Sequence, residues 1–237
     1  MKINKCPRKH IHYYIDEIPE LLDSLFKNNI NFENIADLGC GDGAILFALS
    51  KKGYLQNIKT IFALDISAER IDAVRKIDEK ITCQVADVSN LNIIQDNFLD
   101  LVISNQVIEH IPDEDRFVKE MSRVLRPHGL LYLSTVFKKW YGWYFYRNSQ
   151  DAWVLDPAHL REYTQEENLL DIIKKYNFSV IKNRKHLQWF PVTDFFCKRL
   201  GLSRRIYQNK IIRYLRMFKI PIPVYYNWEM LLVKGLS

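Results

Sequence analysis

The chain has 237 residues, 48% of them apolar and 26% charged, enough to bury a full core without disulfides or a structural metal. That excludes a disordered, collagenous or disulfide-stapled chain, and no apolar run is long enough to predict a spanning helix. The net charge of +6 is uneven: residues 1–136 carry 16 Lys/Arg against 20 Asp/Glu, and residues 137–237 carry 18 against 8, so a basic second part follows an acidic first part. Such a field suits an anionic partner or a solvated surface.

The basic N-terminus is not followed by an apolar stretch, so a cytoplasmic setting is expected rather than secretion. Cys6, Cys40, Cys83 and Cys197 are scattered without zinc spacing, which predicts free thiols in a reducing compartment. From Ile15 to Phe26 the apolar residues recur at helical spacing. Strands and helices then alternate. Asn34–Leu38 reads as a strand entering a glycine turn, Ala44–Lys51 as a helix, and Thr60–Leu64 as a buried strand ended by Asp65. Ser67 is placed to cap the next helix.

Ile81–Val85 and Leu99–Ile103 read as the third and fourth strands. The helix opened by Pro112–Asp115 should run to about Arg126, before Pro127 and Gly129, and Leu130–Val136 reads as a fifth strand. Near-continuous apolar strands alternating with helices predict a doubly wound, mostly parallel α/β sheet covered on both faces. Beyond it lies an aromatic segment, 140–153, which includes Trp140, Trp143 and Trp153. A helix from Thr164 to Tyr176 should follow, with Thr164 and Glu167 as a capping box. Phe178–Ile181 and Tyr225–Val233 read as closing strands around a basic insertion, 182–222. The whole reads as a single domain, 1–237, with a cofactor-binding core at 30–136 and an acceptor-side region at 137–237.

The most informative segment is Asp37-Leu38-Gly39-Cys40-Gly41-Asp42-Gly43. Glycines let the backbone turn sharply and let a ligand approach with no Cβ in the way. Alone the pattern also fits the dinucleotide template through Gly39, Gly41 and Ala44. Asp65 ends the second strand and Asp87 follows the third, so three carboxylates line the carboxyl edge of one sheet. Asp65 suits a ribose diol, and Asp87 an adenine amino group.

This set resembles the class I S-adenosylmethionine-dependent methyltransferases, strongly over residues 30–136 and loosely beyond. Asn105-Gln106-Val107-Ile108-Glu109-His110-Ile111-Pro112 and Val124-Leu125-Arg126-Pro127-His128-Gly129 are similar to segments of the group that includes the ubiquinone and menaquinone methyltransferases, although that group usually has glycine where His128 stands. The resemblance implies a Rossmann-like fold, here seven strands with the last antiparallel, an N-terminal helix and a basic helical insertion before the last strand. It implies S-adenosylmethionine as cofactor. Asp37, Gly39, Gly41 and Gly43 would hold its methionine moiety, with Cys40 in the same turn. Asp65 would bind the ribose and Ile66 pack on the adenine. Asp87 and the Val88 backbone would read the adenine edge, and Asn105 would sit near the methyl group.

The implied reaction is methylation, first of an oxygen on a small or lipid-linked acceptor; an RNA or protein acceptor is the alternative. An NAD-dependent oxidoreductase would explain the glycines and Asp65 but not Asp37, and a cofactor-binding protein without chemistry is a further alternative. A hydroxyl acceptor needs a base, for which His159, His110, Glu109 and Tyr163 are candidates. Some relatives carry Glu-x-x-Glu-His and a distant His as a divalent-metal site. The matching positions are Gln106, Glu109, His110 and His159. A neutral Gln106 weakens that set, and no metal is expected.

The aromatic segment is either a lid over an apolar acceptor or a satellite core. Tyr207, Ile211, Tyr214, Leu215 and Phe218 form one helical stripe with Arg205, Arg213, Arg216 and Lys219 on the other side. Residues 203–219 would thus lie on an anionic membrane or pack on their own domain. Nucleic acid is not an expected partner, since no RNA-binding module is appended. The sequence does not indicate an oligomeric state.

Overall fold

The computed structural model describes residues 17–28, 30–142, 146–191, 193, 196, 210–215 and 217–236. Its chain order is α1 (Glu20–Lys27), β1 (Asn34–Leu38), α2 (Ala44–Lys51), β2 (Thr60–Asp65), α3 (Ala68–Val74), β3 (Ile81–Val85), β4 (Leu99–Asn105), a 3-10 turn (Ile108–His110), α4 (Glu114–Val124), β5 (Leu125–Lys138), β6 (Tyr146–Arg147), β7 (Trp153–Val154), α5 (Glu167–Lys175), β8 (Phe178–Pro191), a short helix (Lys210–Leu215) and β9 (Lys219–Lys234). Seven strands form one sheet in the order β3-β2-β1-β4-β5-β9-β8. β3, β2, β1, β4 and β5 are parallel. β9 runs antiparallel to both β5 and β8. Strand order reverses between β1 and β4, the crevice where open α/β sheets bind ligands.

Each face of the sheet is buried by helices whose apolar stripes the periodicity had placed. On one side Leu21, Leu22, Leu46, Leu49, Ile71 and Val74 from α1–α3 pack on Ile35, Leu101 and Tyr132. On the other, Phe117, Met121, Leu169 and Ile173 from α4 and α5 pack on Leu133, Trp228 and Met230. Ser67 caps α3 by accepting from the Arg70 N–H. Asp113 caps α4 in the same way.

Four expectations change. α1 begins at Glu20 because Pro19 sets its start; Ile15 lies outside the described residues. α4 ends at Val124, because Leu125 already pairs with Leu99 and starts β5. The irregular start of β5, where its register with β4 shifts, holds His128 at φ 61, the left-handed conformation that glycine would adopt without cost. Thr164 makes no capping box: α5 begins at Glu167 without a side-chain cap, since Tyr163 is tied to β5 by backbone bonds with Val136 and Lys138. Among its described residues the basic insertion holds more strand than helix. β8 and β9 extend through 182–191 and 219–222, and Lys210–Leu215 is its only named helix among the described residues.

The described large apolar residues of the 203–219 stripe are not packed away. Ile211 is 67% exposed, Tyr214 65% and Phe218 62%; Tyr207 lies outside the described residues. The described aromatics of 140–153 are not in a satellite core either. Trp140, Tyr141, Tyr146 and Trp153 are exposed, and the Arg147 guanidinium sits over the Trp153 ring; Trp143 lies outside the described residues.

Candidate active site

The glycine turn leaves β1 at Leu38 with Gly39, Gly41 and Gly43 all at positive φ. The Gly39 and Cys40 N–H groups both donate to the Leu64 carbonyl, at 2.7 and 3.0 Å, which binds the turn to β2. A Cβ on Gly39 would stand 2.6 Å from a Val107 methyl, so this glycine lets the loop after β4 close on the turn. A Cβ on Gly41 would meet nothing within 4 Å. That glycine faces open space, which is what a ligand cradle requires.

The prediction is a split. Gly39→Ala lowers the thermal midpoint, by about 1–3 kcal/mol of overpacking plus left-handed strain. Gly41→Ala costs only the strain, about 1–2 kcal/mol, and loses ligand affinity. Denaturation and ligand titration of the two variants check it.

Asp37 is buried, and among the described residues no hydrogen bond reaches its carboxyl. Burial, reinforced by the nearby Asp65, pushes its pKa up to about 7. A buried carboxyl lacking a partner calls for a donor or a cation from outside the chain. Asp65 accepts from the Gly41 N–H (3.0 Å) and the Ser67 N–H (2.9 Å). Each of its oxygens keeps a second lone pair for a diol, and Arg70 stands 3.7 Å away.

Ile66 beside it is 73% exposed, an apolar face with nothing on it. Asp87 is exposed and accepts from the Ser89 N–H, while Val88 is buried in the core. Asn105 accepts from the Ser134 hydroxyl at 2.6 Å. Burial drives the Cys40 thiol far above its ordinary range, so it is not a nucleophile. These residues line one carboxyl edge, and the buried acid with the open Gly41 fits a cationic nucleoside ligand such as S-adenosylmethionine.

A second cluster stands next to it. Glu109 is fully buried. One oxygen accepts from the Thr135 hydroxyl at 2.9 Å and the other has no partner; burial raises its pKa to about 7. The loop 156–161 is stitched onto it from the Leu160 N–H to the Glu109 carbonyl (2.9 Å). Arg161 donates to the carbonyls of Ile108, Ile111 and Pro112.

This stitching brings His159 against His110, ring centroids 4.9 Å apart. His159 Nδ1 lies 2.8 Å from Glu162 Oε1, so it carries the proton that Glu162 accepts and leaves Nε2 with a lone pair. His110 Nδ1 likewise donates to the Ala158 carbonyl at 3.1 Å. Burial pulls the His159 pKa down, but the bond to Glu162 and the charges of Glu109 and Glu162 outweigh it and leave it raised. Desolvation holds His110 low, and Arg70 also acts on it. Because Arg70 stands beside Asp65, the two clusters are neighbours.

The structure thus brings Glu109, His110 and His159 together, with ligand atoms within 4.8 Å of one another. Gln106, at φ 57, instead gives its amide nitrogen to Asn227 and Ser134. Tyr163 does not join them: its buried hydroxyl donates to Glu114, and burial raises its pKa far beyond a useful base. Sequence reasoning missed Glu162, although its i+3 spacing from His159 was visible. It also missed Asn148, which is buried and donates to the carbonyls of His159 and Leu160.

Comparison with known proteins fits this geometry. Residues 36–133 match the family described as methyltransferase domain. The matched stretch holds the glycine turn, the three carboxylates and Glu109–His110, while His159 and Glu162 come from the chain after it. The chain is 31% identical over 127 residues to a ubiquinone biosynthesis O-methyltransferase of Rickettsia typhi, covering 53% of this chain and 48% of that one. It is 25% identical over 156 residues to the protein of that name from Pelagibacter ubique, 62% of each. The matches to the first of these relatives thus span about half of their length.

Among solved structures it resembles a SAM-dependent methyltransferase of Methanosarcina mazei (TM-score 0.61, 18% identity, 93% of this chain and 100% of that one). It also resembles the cyclase SpnF (TM-score 0.64, 18% identity, 92% and 82%). The architecture is the Rossmann-like methyltransferase fold. A cyclase on the same fold shows that chemistry must be argued from the site.

Proposed function

We propose that the chain transfers a methyl group from S-adenosylmethionine to an oxygen of a small or lipid-linked acceptor, in a cytoplasmic setting. The observation that carries this reading is the buried, unpartnered Asp37 carboxyl beside the open Gly41, at the edge that also presents Asp65 and Ile66. When bound, S-adenosylmethionine supplies a methyl group already activated on a sulfonium. The chain then has to align the acceptor, exclude water and take a proton.

His159 Nε2 takes the acceptor hydroxyl proton. Glu162 holds the opposite N–H and stabilises the imidazolium that forms. Lys138, 3.1 Å from Glu162, helps to keep that carboxylate charged. The acceptor side of the same reading is peripheral contact with an anionic membrane through residues 203–219, of which 203–209 and 216 lie outside the described residues. Enzyme-dependent formation of S-adenosylhomocysteine across a panel of phenols, sugars, lipid intermediates and tRNA tests the reading. Product with tRNA alone would move the acceptor to RNA.

The convergence of Glu109, His110 and His159 supports a second reading of this cluster, a divalent cation site. The free Glu109 oxygen and the two Nε2 lone pairs are its ligands, and Glu162 and the Ala158 carbonyl orient the rings from outside, the usual arrangement for metal-bound histidines. A bound cation would lower the pKa of an acceptor hydroxyl. Under this reading Zn2+ or Mn2+ raises the thermal midpoint of the wild type but not of a His110→Ala variant. Activity that survives exhaustive chelation unchanged contradicts it.

A further inference from the structure

β9 and β8 are longer than the sheet they complete. β5 ends at Lys138, which pairs with Tyr225. β9 begins at Lys219, and beyond a break in register residues 219–221 run on with residues 189–191 of β8, where Trp189 pairs with Pro221 and Pro191 with Lys219. Three residues of each strand make an arm roughly 10 Å long. It projects from the carboxyl edge of the parallel strands, the edge that carries the donor cradle. Both strands are irregular where the arm leaves the sheet: the register shifts between Leu187 and Trp189, and Val224 sits at φ 58, an outlier for a β-branched residue.

The arm and the short helix before it expose large apolar side chains together. Trp189 is 52% exposed, Tyr214 65%, Met217 72%, Phe218 62% and Ile220 53%. Large apolar side chains left exposed this close along the chain mark an interaction site. The sequence from Asp194 to Glu229 contains eight Lys/Arg and no carboxylate between them.

We propose that this arm docks the protein on an anionic lipid surface, seating Met217, Phe218 and Ile220 among the headgroups, so that the catalytic edge faces the bilayer. The proposal rests on the reading above that the acceptor is lipid-linked, and it names the arm as the element that brings the site to it. Aliphatic and aromatic side chains flanked by Lys and Arg are the composition of an interfacial segment. A nucleic acid would stack on the aromatics but leave the exposed Met217 and Ile220 uncovered, whereas a lipid interface takes all of them. A second copy of the chain would bring a second face of the same positive sign.

The test is co-sedimentation of the full chain with vesicles of phosphatidylcholine alone and of phosphatidylcholine mixed with phosphatidylglycerol, with tRNA gel shift and sedimentation velocity in parallel. Binding to the mixed vesicles is expected, with little to the neutral ones, and weakening with salt. Lys219→Glu should lower it at least about fivefold. The Phe218→Glu, Ile220→Glu double variant should lower it at least about tenfold, with S-adenosylmethionine affinity and thermal midpoint unchanged. No binding to the mixed vesicles at low salt, undiminished binding by the double variant, or a shift to tRNA or to dimers instead would overturn the proposal. Vesicle binding without S-adenosylhomocysteine formation on any acceptor would leave the arm standing and remove the methyl-transfer reading. Transfer to a soluble acceptor without vesicle binding would do the reverse.

Discussion

Replacing His159 with alanine is expected to lower turnover by about a hundredfold to ten-thousandfold while S-adenosylmethionine affinity stays as it was. The imidazole is the cluster's one base whose proton is held on the far nitrogen by a buried carboxylate, and it belongs to the acceptor side. The fold should survive, because Glu162 keeps Lys138 as a partner. The pH dependence follows from the sign of the His159 shift. The base form is the neutral ring, and its pKa lies above the ordinary 6.5 despite burial, because Glu162 and Glu109 favour the charged form. Activity should therefore rise with pH through a midpoint above 6.5. Glu162→Gln should move that midpoint down and lower turnover. Steady-state profiles of the wild type and both variants check this. A variant that loses donor binding along with turnover would show that the residue supports structure only.

The second large effect concerns Asp37. Its folded pKa of about 7 lies above the ordinary 3.8, so between these values the folded state holds a proton that the unfolded state has released. This carboxyl therefore makes the fold less stable as pH rises from about 4 to 7, the reverse of a paired acid. Asp37→Asn should leave stability unchanged at low pH and raise it near pH 8. Donor binding behaves oppositely. A cationic sulfonium ligand favours the ionised carboxylate, so binding below pH 7 releases a proton and affinity should climb by up to about tenfold per pH unit. It should level off above 7. Asp37→Asn should flatten the profile and cost about 1.5–3 kcal/mol of affinity at pH 8, the worth of a hydrogen bond to a charged group.

Much of the donor half was legible in the sequence, because there the local signals and the burial agree. The runs at Asn34–Leu38, Thr60–Leu64 and Ile81–Val85, the Ser67 cap and the glycine turn each specify the same geometry as the sheet that buries them. The acceptor half was less legible for three physical reasons. Lys182–Lys185, Pro221 and Pro223 interrupt any apolar alternation, so the outer lengths of β8 and β9 gave no strand signal although backbone pairing carries them. The 203–219 stripe read as one face of a helix, but most of its described apolar residues lie in solvent and its only described helical span is Lys210–Leu215. The meeting of His159 with Glu109–His110 depends on Arg161 and the Leu160 N–H reaching across about fifty residues of chain, contacts that no local pattern encodes. Tyr163 looked like a base at the level of residue type and was not one, because Glu114 lies within reach of its hydroxyl.

The central claim is that Asp37, the glycine turn and Asp65 bind a cationic methyl donor. Isothermal titration of the full chain with S-adenosylmethionine and with NADH, at pH 6 and pH 8 and in buffers of different ionisation enthalpy, tests it most directly. The account predicts one S-adenosylmethionine per chain, tighter at pH 8, with proton release at pH 6 that disappears in Asp37→Asn, and no binding of NADH. Binding of NADH in preference, or S-adenosylmethionine affinity indifferent to both pH and Asp37, would contradict it.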